Sequence, residues 1–446
     1  MIDQLKMLTL CLVLFANTII AQPLHTIVNY KQNTPAKGYY FMAPFKMRKE
    51  APIINGMLLI LNGQGQIIRY QYIDKISDFK IQSNGLMSYY HDRKYFLMDK
   101  NFTLIDSVSC IGNIETDTHD FIILPNGHYL IMGTETQIED YSAKPLFLQK
   151  QILGSRNAKV KYGVIQEIDQ NKKVVFQWTT KGIYKPEDAD PFYLNDTLNV
   201  DLTHFNSVDM NKEGDIIVSI RYFNEVVKVK RADSSIIWRM GGKRNEIKVM
   251  NDTIPFYGQH DARFTKNKQF TLFDNSYTLN EQRNNVRALE YYVDDQNKTA
   301  KLVWNYSRKN KLISEATGNT QRLPNNYTLI NYGKIEKGTP NITFEVVNEK
   351  NESVFELGFT DTVGTYRAFF YPTIPAEINH APVELVKIKN EYFLQTKKKF
   401  RHYEWSNGKK KARIKITKNG QYCVYTSNDN NAFTRSEIIN ITQFDH

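Results

Sequence analysis

The run Val164-Ile165-Gln166-Glu167-Ile168-Asp169, followed after a polar turn by Val174-Val175-Phe176-Gln177-Trp178, decides the fold. Apolar side chains recur at every second residue, the turn between them is rich in Asp, Asn and Lys, and the second run ends in Trp, which together form a β-hairpin signature. The same unit returns at Val226-Val227-Lys228-Val229 through Ile236-Ile237-Trp238, and again from Leu289 to Trp304 around Asp294-Asp295-Gln296-Asn297. Fainter copies run from Phe344 to Phe355, from Leu59 to Tyr70 around Asn62-Gly63-Gln64-Gly65, and from Tyr95 to Ile105 around Asp99-Lys100-Asn101.

A second unit precedes the hairpins, an apolar strand, a polar turn and another apolar strand. It reads from Phe121 to Ile131, from Val208 to Val218, from Ala262 to Phe273 and from Gln321 to Ile330. Two hairpins per repeat make a four-stranded antiparallel blade, and a sheet of that kind buries its faces only against its neighbours. The expected fold is therefore all-β, a six-bladed β-propeller over residues 22–375 with loops inserted between strands, most obviously between Leu130 and Val164. A pair of β-sandwiches is the structural alternative.

After Tyr371-Pro372-Thr373-Ile374-Pro375 the chain changes character. From about Val383 short strands follow one another, with Tyr403-Glu404-Trp405-Ser406-Asn407-Gly408 read as a hairpin turn before a strand at Ala412 to Thr417. Residues 383–446 resemble a small immunoglobulin-like β-sandwich module of the kind appended to bacterial surface proteins of the Bacteroidetes type, suited to attachment or spacing.

The 446 residues suffice for a large core, and the 27 Tyr and 25 Phe suit pleated surfaces. Met1 to Ala21 has the layout of a signal peptide, with Lys6, then an apolar run from Met7 to Phe15. No later stretch approaches the roughly 20 apolar residues of a spanning helix, so an exported, periplasmic, cell-surface or secreted protein without a transmembrane span is expected. Beyond the signal only Cys110 and Cys423 remain, far apart and without metal-ligand spacing, so no disulfide framework is expected, a single bridge between them being the alternative. The net charge of +11 includes Lys397-Lys398-Lys399 and Lys409-Lys410-Lys411, read as protection of exposed edge strands. No nucleic-acid module accompanies the charge, and no nucleic-acid partner is expected.

Three histidines occupy comparable places, each just before a strand of the second unit: Thr118-His119-Asp120, Thr203-His204-Phe205-Asn206 and Gln259-His260-Asp261. In a propeller the first strand of each blade lines the central channel, so these imidazoles converge at one mouth of it. Ser219-Ile220-Arg221 adds a guanidinium at the end of the strand after His204. Imidazoles beside a planar donor fork suit an anion with several oxygens.

Together His119-Asp120, His204-Phe205-Asn206-Ser207, Ser219-Ile220-Arg221, Trp238-Arg239-Met240-Gly241-Gly242-Lys243, Gln259-His260-Asp261-Ala262-Arg263 and Phe273-Asp274-Asn275 resemble the successive motifs of the arylsulfate sulfotransferase family. Gly318-Asn319-Thr320-Gln321 and Tyr366-Arg367 extend the likeness, which runs from about Gly112 to Tyr371. The resemblance implies an exported six-bladed propeller that moves a sulfuryl group from a phenolic sulfate donor to a phenolic acceptor by a ping-pong route, with no cofactor and no metal. It implies that His260 is transiently sulfurylated, that His119, His204 and Arg221 surround the sulfuryl oxygens, and that Asn206, Thr317 and Asn319 complete the substrate pocket. The family's N-terminal β-domain is short or absent here, which leaves the oligomeric state open. Two other readings of the histidines stand beside this one: a metal-dependent propeller hydrolase that activates water, and a non-catalytic surface propeller for adhesion or ligand capture.

Overall fold

A computed structural model describes residues 26–30, 37–46, 56–147, 152–265, 268–277, 285–335, 342–359, 363–429 and 431–442. The signal-peptide stretch lies outside them. Among the described residues there is no α-helix, only strands and three short 3-10 turns, and no helix is long and apolar enough to cross a membrane.

The alternating runs form antiparallel sheets in which consecutive strands pair in chain order. Ser77–Ile81, Met87–His91, Lys94–Met98 and Leu104–Val108 make one; Phe205–Met210, Ile216–Ile220, Glu225–Val229 and Ile236–Gly241 make another. Equivalent sheets begin with the strands Glu115–Ile123, His260–Phe264 and Asn319–Arg322. In one sheet the innermost strand comes from late in the chain, because Val363–Tyr371 pairs with the early strand Tyr39–Lys46, in register from Tyr39 opposite Tyr371 to Met42 opposite Ala368.

These innermost strands pack side by side and close on themselves: Ser77–Ile81 touches Glu115–Ile123, which touches Phe205–Met210, and so on through His260–Phe264, Asn319–Arg322 and Val363–Tyr371 back to Ser77–Ile81. The arrangement is a β-propeller, closed by pairing the two ends of the ring. Separate apolar cores lie between successive sheets, such as Tyr95, Leu97, Phe121, Ile131 and Ile168 between the sheets of Ser77–Ile81 and Glu115–Ile123. The strand alternation therefore buries both faces of each sheet against its two neighbours.

The C-terminal strands depart from the sequence reading in one respect. Trp405 does turn through Lys409, but His402–Trp405 pairs with Val424–Ser427, while Arg413–Ile416 pairs with Glu391–Thr396. The turn thus crosses between two sheets instead of closing a hairpin, held by the Trp405 indole donating to the Lys411 carbonyl at 2.7 Å. Ala432–Arg435 then pairs with Ile67–Tyr72, so the C-terminal strands continue an outer edge of the ring. There Phe433 stacks on Tyr70 with centroids 5.0 Å apart, and the Tyr425 hydroxyl donates to the Ile67 carbonyl. Both lysine runs lie in loops and not on edge strands; the edge of Ile67–Tyr72 is covered by pairing. Cys110 and Cys423 are free thiols.

Candidate active site

Each of the three histidines sits where an innermost strand leaves its ladder. Pairing between Glu115–Ile123 and its neighbour shifts register between Ile131 and Gly133, so residues 117–120 bulge out. Similar shifts follow Phe205, beside His204, and follow His260. A bulge re-aims side chains that regular pairing would alternate between the two faces of the sheet, and here it repeats at the same place in three sheets. His204 and Asp261 adopt positive φ values of 49° and 57°, as does the β-branched Thr317 at 63°. Left-handed backbone at non-glycine residues costs energy and persists only when surrounding contacts hold it.

The ring convergence is direct. His119 and His204 meet edge to face with centroids 4.9 Å apart, and Tyr366 packs against the other side of His119 at 5.5 Å. His260 feels the charges of Arg221, His119 and His204. Arg221 opens the short turn Arg221–Phe223, where its backbone N–H donates to the His204 carbonyl, its Nη2 donates to the Glu315 carbonyl at 2.6 Å, and its guanidinium lies 4.9 Å from the Tyr193 ring centre. Tyr193 stacks in parallel on Tyr222, and Tyr222 on His204, both at 4.6 Å.

Hydrogen bonds assign the imidazoles different chemistry. His260, 2% exposed, has two acceptors at Nδ1, the Gly258 carbonyl at 3.0 Å and Asn275 Oδ1 at 2.6 Å. The Asn275 amide nitrogen faces the Ser314 hydroxyl and the Thr317 carbonyl, which fixes its oxygen toward His260. The proton therefore resides on Nδ1, and Nε2 presents a lone pair, now accepting the Thr317 N–H at 3.1 Å. Burial, then the Arg221 guanidinium, hold His260 well below the ordinary histidine range, so the ring is neutral at pH 7.

His119 and His204 each direct Nδ1 at a carboxylate, Asp117 Oδ1 at 2.6 Å and Asp201 Oδ2 at 2.7 Å. Burial opposes protonation of His119, but the charge and hydrogen bond of Asp117, with Asp201 behind, outweigh it and raise its pKa. For His204, burial together with the nearby His119 and Arg221 prevails over Asp201 and lowers it. The site thus combines a neutral imidazole whose Nε2 lone pair accepts a backbone N–H, an imidazole biased toward the cation, and a guanidinium. Arg221 Nε and Thr317 Oγ1 are buried with no hydrogen-bond partner among the described residues, which adds two donors suited to an oxyanion.

The structure brings His119, His204, Arg221, His260 and Thr317 together. Asn206 is buried beside them: its amide donates to the Gln259 carbonyl, while its own carbonyl accepts from the Tyr366 hydroxyl and Arg367. Asn319 serves differently from the expectation. Its amide exchanges two hydrogen bonds of 2.9 Å with the Ala368 backbone, clamping two innermost strands, so it acts as a tie in the ring and not as a pocket group.

Sequence reading missed the layer that holds these groups. Asp117 and Asp201 stand two and three residues before their histidines, a local signal that was there to be read. Asn275 closes the motif Phe273-Asp274-Asn275, and nothing in that motif points it at His260. Below the histidines, Asp78, Lys80, Asp120, Asp261, Arg263 and Arg367 form a buried plug of three anions and three cations. Arg367, 1% exposed, donates to the carbonyls of both His119 and Asn206 at 2.8 Å while pairing with Asp78 and Asp261. The aspartates that follow His119 and His260 are therefore engaged in ion pairs of this plug.

Such an arrangement defines an all-β propeller with a cluster of histidines and an arginine where its innermost strands leave their ladders. The sequence profile described as arylsulfotransferase (ASST) matches residues 97–351, more than half of the chain. The chain belongs to the arylsulfotransferase family. No curated protein matches it. Among solved structures, a protein of unknown function from Bacteroides caccae is similar at 9% identity and TM-score 0.44, covering 74% of this chain and 98% of its own. A virginiamycin B lyase from Staphylococcus aureus is similar at 8% identity and TM-score 0.38, covering 83% and 96%. A streptogramin B lyase is similar at 7% and 0.35, covering 90% and 98%. Likenesses this remote carry no argument about activity.

Proposed function

We propose that the chain is an exported aryl-sulfate sulfotransferase, a six-bladed propeller over residues 22–375 preceded by a signal peptide at 1–21 and followed by an immunoglobulin-like module at 383–446. It moves a sulfuryl group between phenols through a sulfohistidine at His260. The observation that carries the reading is the fixed Nδ1–H tautomer of His260, which leaves Nε2 as a neutral nucleophile among cationic and N–H donors.

In the first step the Nε2 lone pair attacks sulfur, an N–S bond forms, the sulfur–aryl oxygen bond breaks, and the phenolate leaves with the electron pair. His119 is the proton donor to that oxygen, since Asp117 keeps its imidazole biased toward the cation. In the second step an acceptor phenol loses its proton to a site histidine, its oxygen attacks sulfur, and the N–S bond breaks to return the imidazole. Charge spreads over three sulfuryl oxygens in a loose transition state, so most of the catalysis is positioning and electrostatic stabilisation by Arg221, His204 and Thr317. Splitting the transfer in two is covalent catalysis and calls for no cofactor.

The test is to incubate the purified protein with a nitrophenyl sulfate, with and without a second phenol. Nitrophenol release that depends on the phenol supports transfer. Release that is indifferent to phenol, or that requires added divalent metal, contradicts it.

A further inference from the structure

The turn that presents Arg221 ends at Asn224, and the contacts of Asn224 reach further than its own turn. Its N–H closes the turn on the Arg221 carbonyl, and its backbone is left-handed, with φ 51° and ψ 40°. The side chain, on a residue only 4% exposed, uses both ends: Nδ2 donates to Asp190 Oδ2 at 2.8 Å, and Oδ1 accepts the Gly258 N–H at 2.7 Å. Gly258 is also left-handed, at φ 60°, and its carbonyl accepts from His260 Nδ1. One side chain thus bridges the turn that carries the guanidinium and Gly258, whose N–H it accepts and whose carbonyl, in the next peptide, is one of the two acceptors at His260 Nδ1.

The Trp238-to-Lys243 motif explains how the bridge is kept in place. A Cβ on Gly241 would come within 2.4 Å of the Asn224 carbonyl oxygen, and one on Gly242 within 2.2 Å of the Phe223 carbonyl oxygen. Only glycine allows this strand end to press directly on the turn backbone. On the opposite side, the Asp190 N–H donates to the Tyr222 carbonyl, and Asp190 Oδ1 accepts the Phe192 N–H. The turn is therefore held between the two glycines and the Asp190 loop, and Asn224 passes that position to Gly258, while Gln259 ties the same segment to the Ile220 and Glu225 carbonyls that flank the turn.

We infer that Asn224 is a positioning residue for His260: with Asp190 it holds Gly258 by its N–H so that the Gly258 carbonyl stays beside Asn275 Oδ1 at Nδ1, which keeps the imidazole proton on Nδ1 and the lone pair on Nε2. This rests on the reading of His260 as nucleophile, but its primary readout is independent of turnover. Without the Asn224 acceptor Gly258 is free to reorient and its carbonyl to leave Nδ1; Asn275 Oδ1 and the Thr317 N–H then hold the Nδ1–H tautomer alone, and the Nε2–H tautomer, which has no nucleophilic lone pair at that atom, gains population.

The experiment uses the full chain labelled with nitrogen-15 histidine, with the His260 ring nitrogens identified by their disappearance in His260→Asn. In the wild type, His260 should give one protonated nitrogen at Nδ1 and one unprotonated at Nε2. In Asn224→Ala the two signals should move toward each other as tautomers mix, and the nitrophenol burst rate should fall by roughly 10- to 100-fold, the cost of a misplaced reacting group. Half-saturation by donor should change by less than about threefold, since the loss lies in the reacting atom and not in ground-state binding.

Asn224→Asp keeps the acceptor for Gly258 but sets a second carboxylate against Asp190, so it should also mix the tautomers. Adding Asp190→Asn reverses the direction of that hydrogen bond and should restore both the signals and the rate. Unchanged His260 signals in folded Asn224→Ala overturn the inference, as does failure of the double variant to recover from Asn224→Asp. If the signals move as expected but wild-type His260 never gains a sulfuryl group, the nucleophile reading falls and the positioning role stands.

Discussion

Replacing Asp117 with Asn separates the charge on His119 from its geometry. The Asp117 carboxylate accepts the His119 backbone N–H at 2.7 Å and Nδ1 at 2.6 Å through the same oxygen, and each side chain is 17% exposed. An asparagine keeps an acceptor oxygen there, so the ring orientation should survive while the negative charge is lost. A hydrogen bond to a charged group contributes about 1.5 to 3 kcal/mol, and the neutral replacement forfeits most of it. At about 1.4 kcal/mol per tenfold, nitrophenol burst rates at pH 7 should fall by roughly 10- to 100-fold. Because the deficit is one of protonation, it should shrink as the pH is lowered toward values where His119 recovers its proton without Asp117. The assay is the burst amplitude and rate in Asp117→Asn from pH 5 to 8, beside circular dichroism to verify folding. A profile that overlays the wild type, or a deficit that is the same at every pH, would refute the assignment of His119 as proton donor.

Other outcomes follow from the same geometry. Arg221→Lys removes both the fork that donates to the Glu315 carbonyl and the unpartnered Nε–H, leaving a single ammonium, and kcat should drop by roughly 100- to 1000-fold with folding intact; a drop below tenfold would remove Arg221 from the oxyanion site. His260 has a lowered folded-state pKa, so below the ordinary histidine value of about 6.5 the unfolded chain takes up a proton that the buried ring refuses, and stability falls as pH falls, by up to about 1.4 kcal/mol per pH unit. The contribution is flat above that value, so denaturant midpoints at pH 7.5 and pH 5 should differ less in His260→Asn than in the wild type; an equal difference contradicts a neutral His260. Deleting residues 383–446 exposes the edge of Ile67–Tyr72 and uncovers Tyr70 where Phe433 stacks on it, so the melting temperature should fall, by about 1.5 to 3 kcal/mol of stability for each aromatic ring fully re-exposed. Phenol-dependent turnover at 25 °C should persist in the truncated protein, and its loss in a folded chain would tie the C-terminal strands to the site.

Reading the sequence reached the hairpins because a period of two and a local turn are both contained within a dozen residues, as at Val164 to Trp178. The histidines were legible for a related reason: His119, His204 and His260 stand at the same point of a repeat, and equivalent points of a closed ring are neighbours. What escaped depends on contacts between distant strands. The plug joins Asp78 to Arg367 across 289 positions, and no spacing in the chain announces it. The family resemblance implies a pocket role for Asn319, but the direction of its side chain follows from the strand of Ala368 beside it. The turn after Trp405 carried the right residues for reversal, yet turn chemistry does not choose the partner strand, and the flanking segments went to different sheets.

The central claim is that the sulfuryl group rests on Nε2 of His260 between donor and acceptor. Mixing the full-length protein with a nitrophenyl sulfate in the absence of phenol, quenching in base and mapping peptides by mass spectrometry measures this directly. The account predicts a base-stable, acid-labile gain of one sulfuryl group on the peptide containing His260, discharged by added phenol and absent in His260→Asn, while His119→Asn still labels slowly. Labelling that persists in His260→Asn, or that maps to His119 or His204, contradicts it.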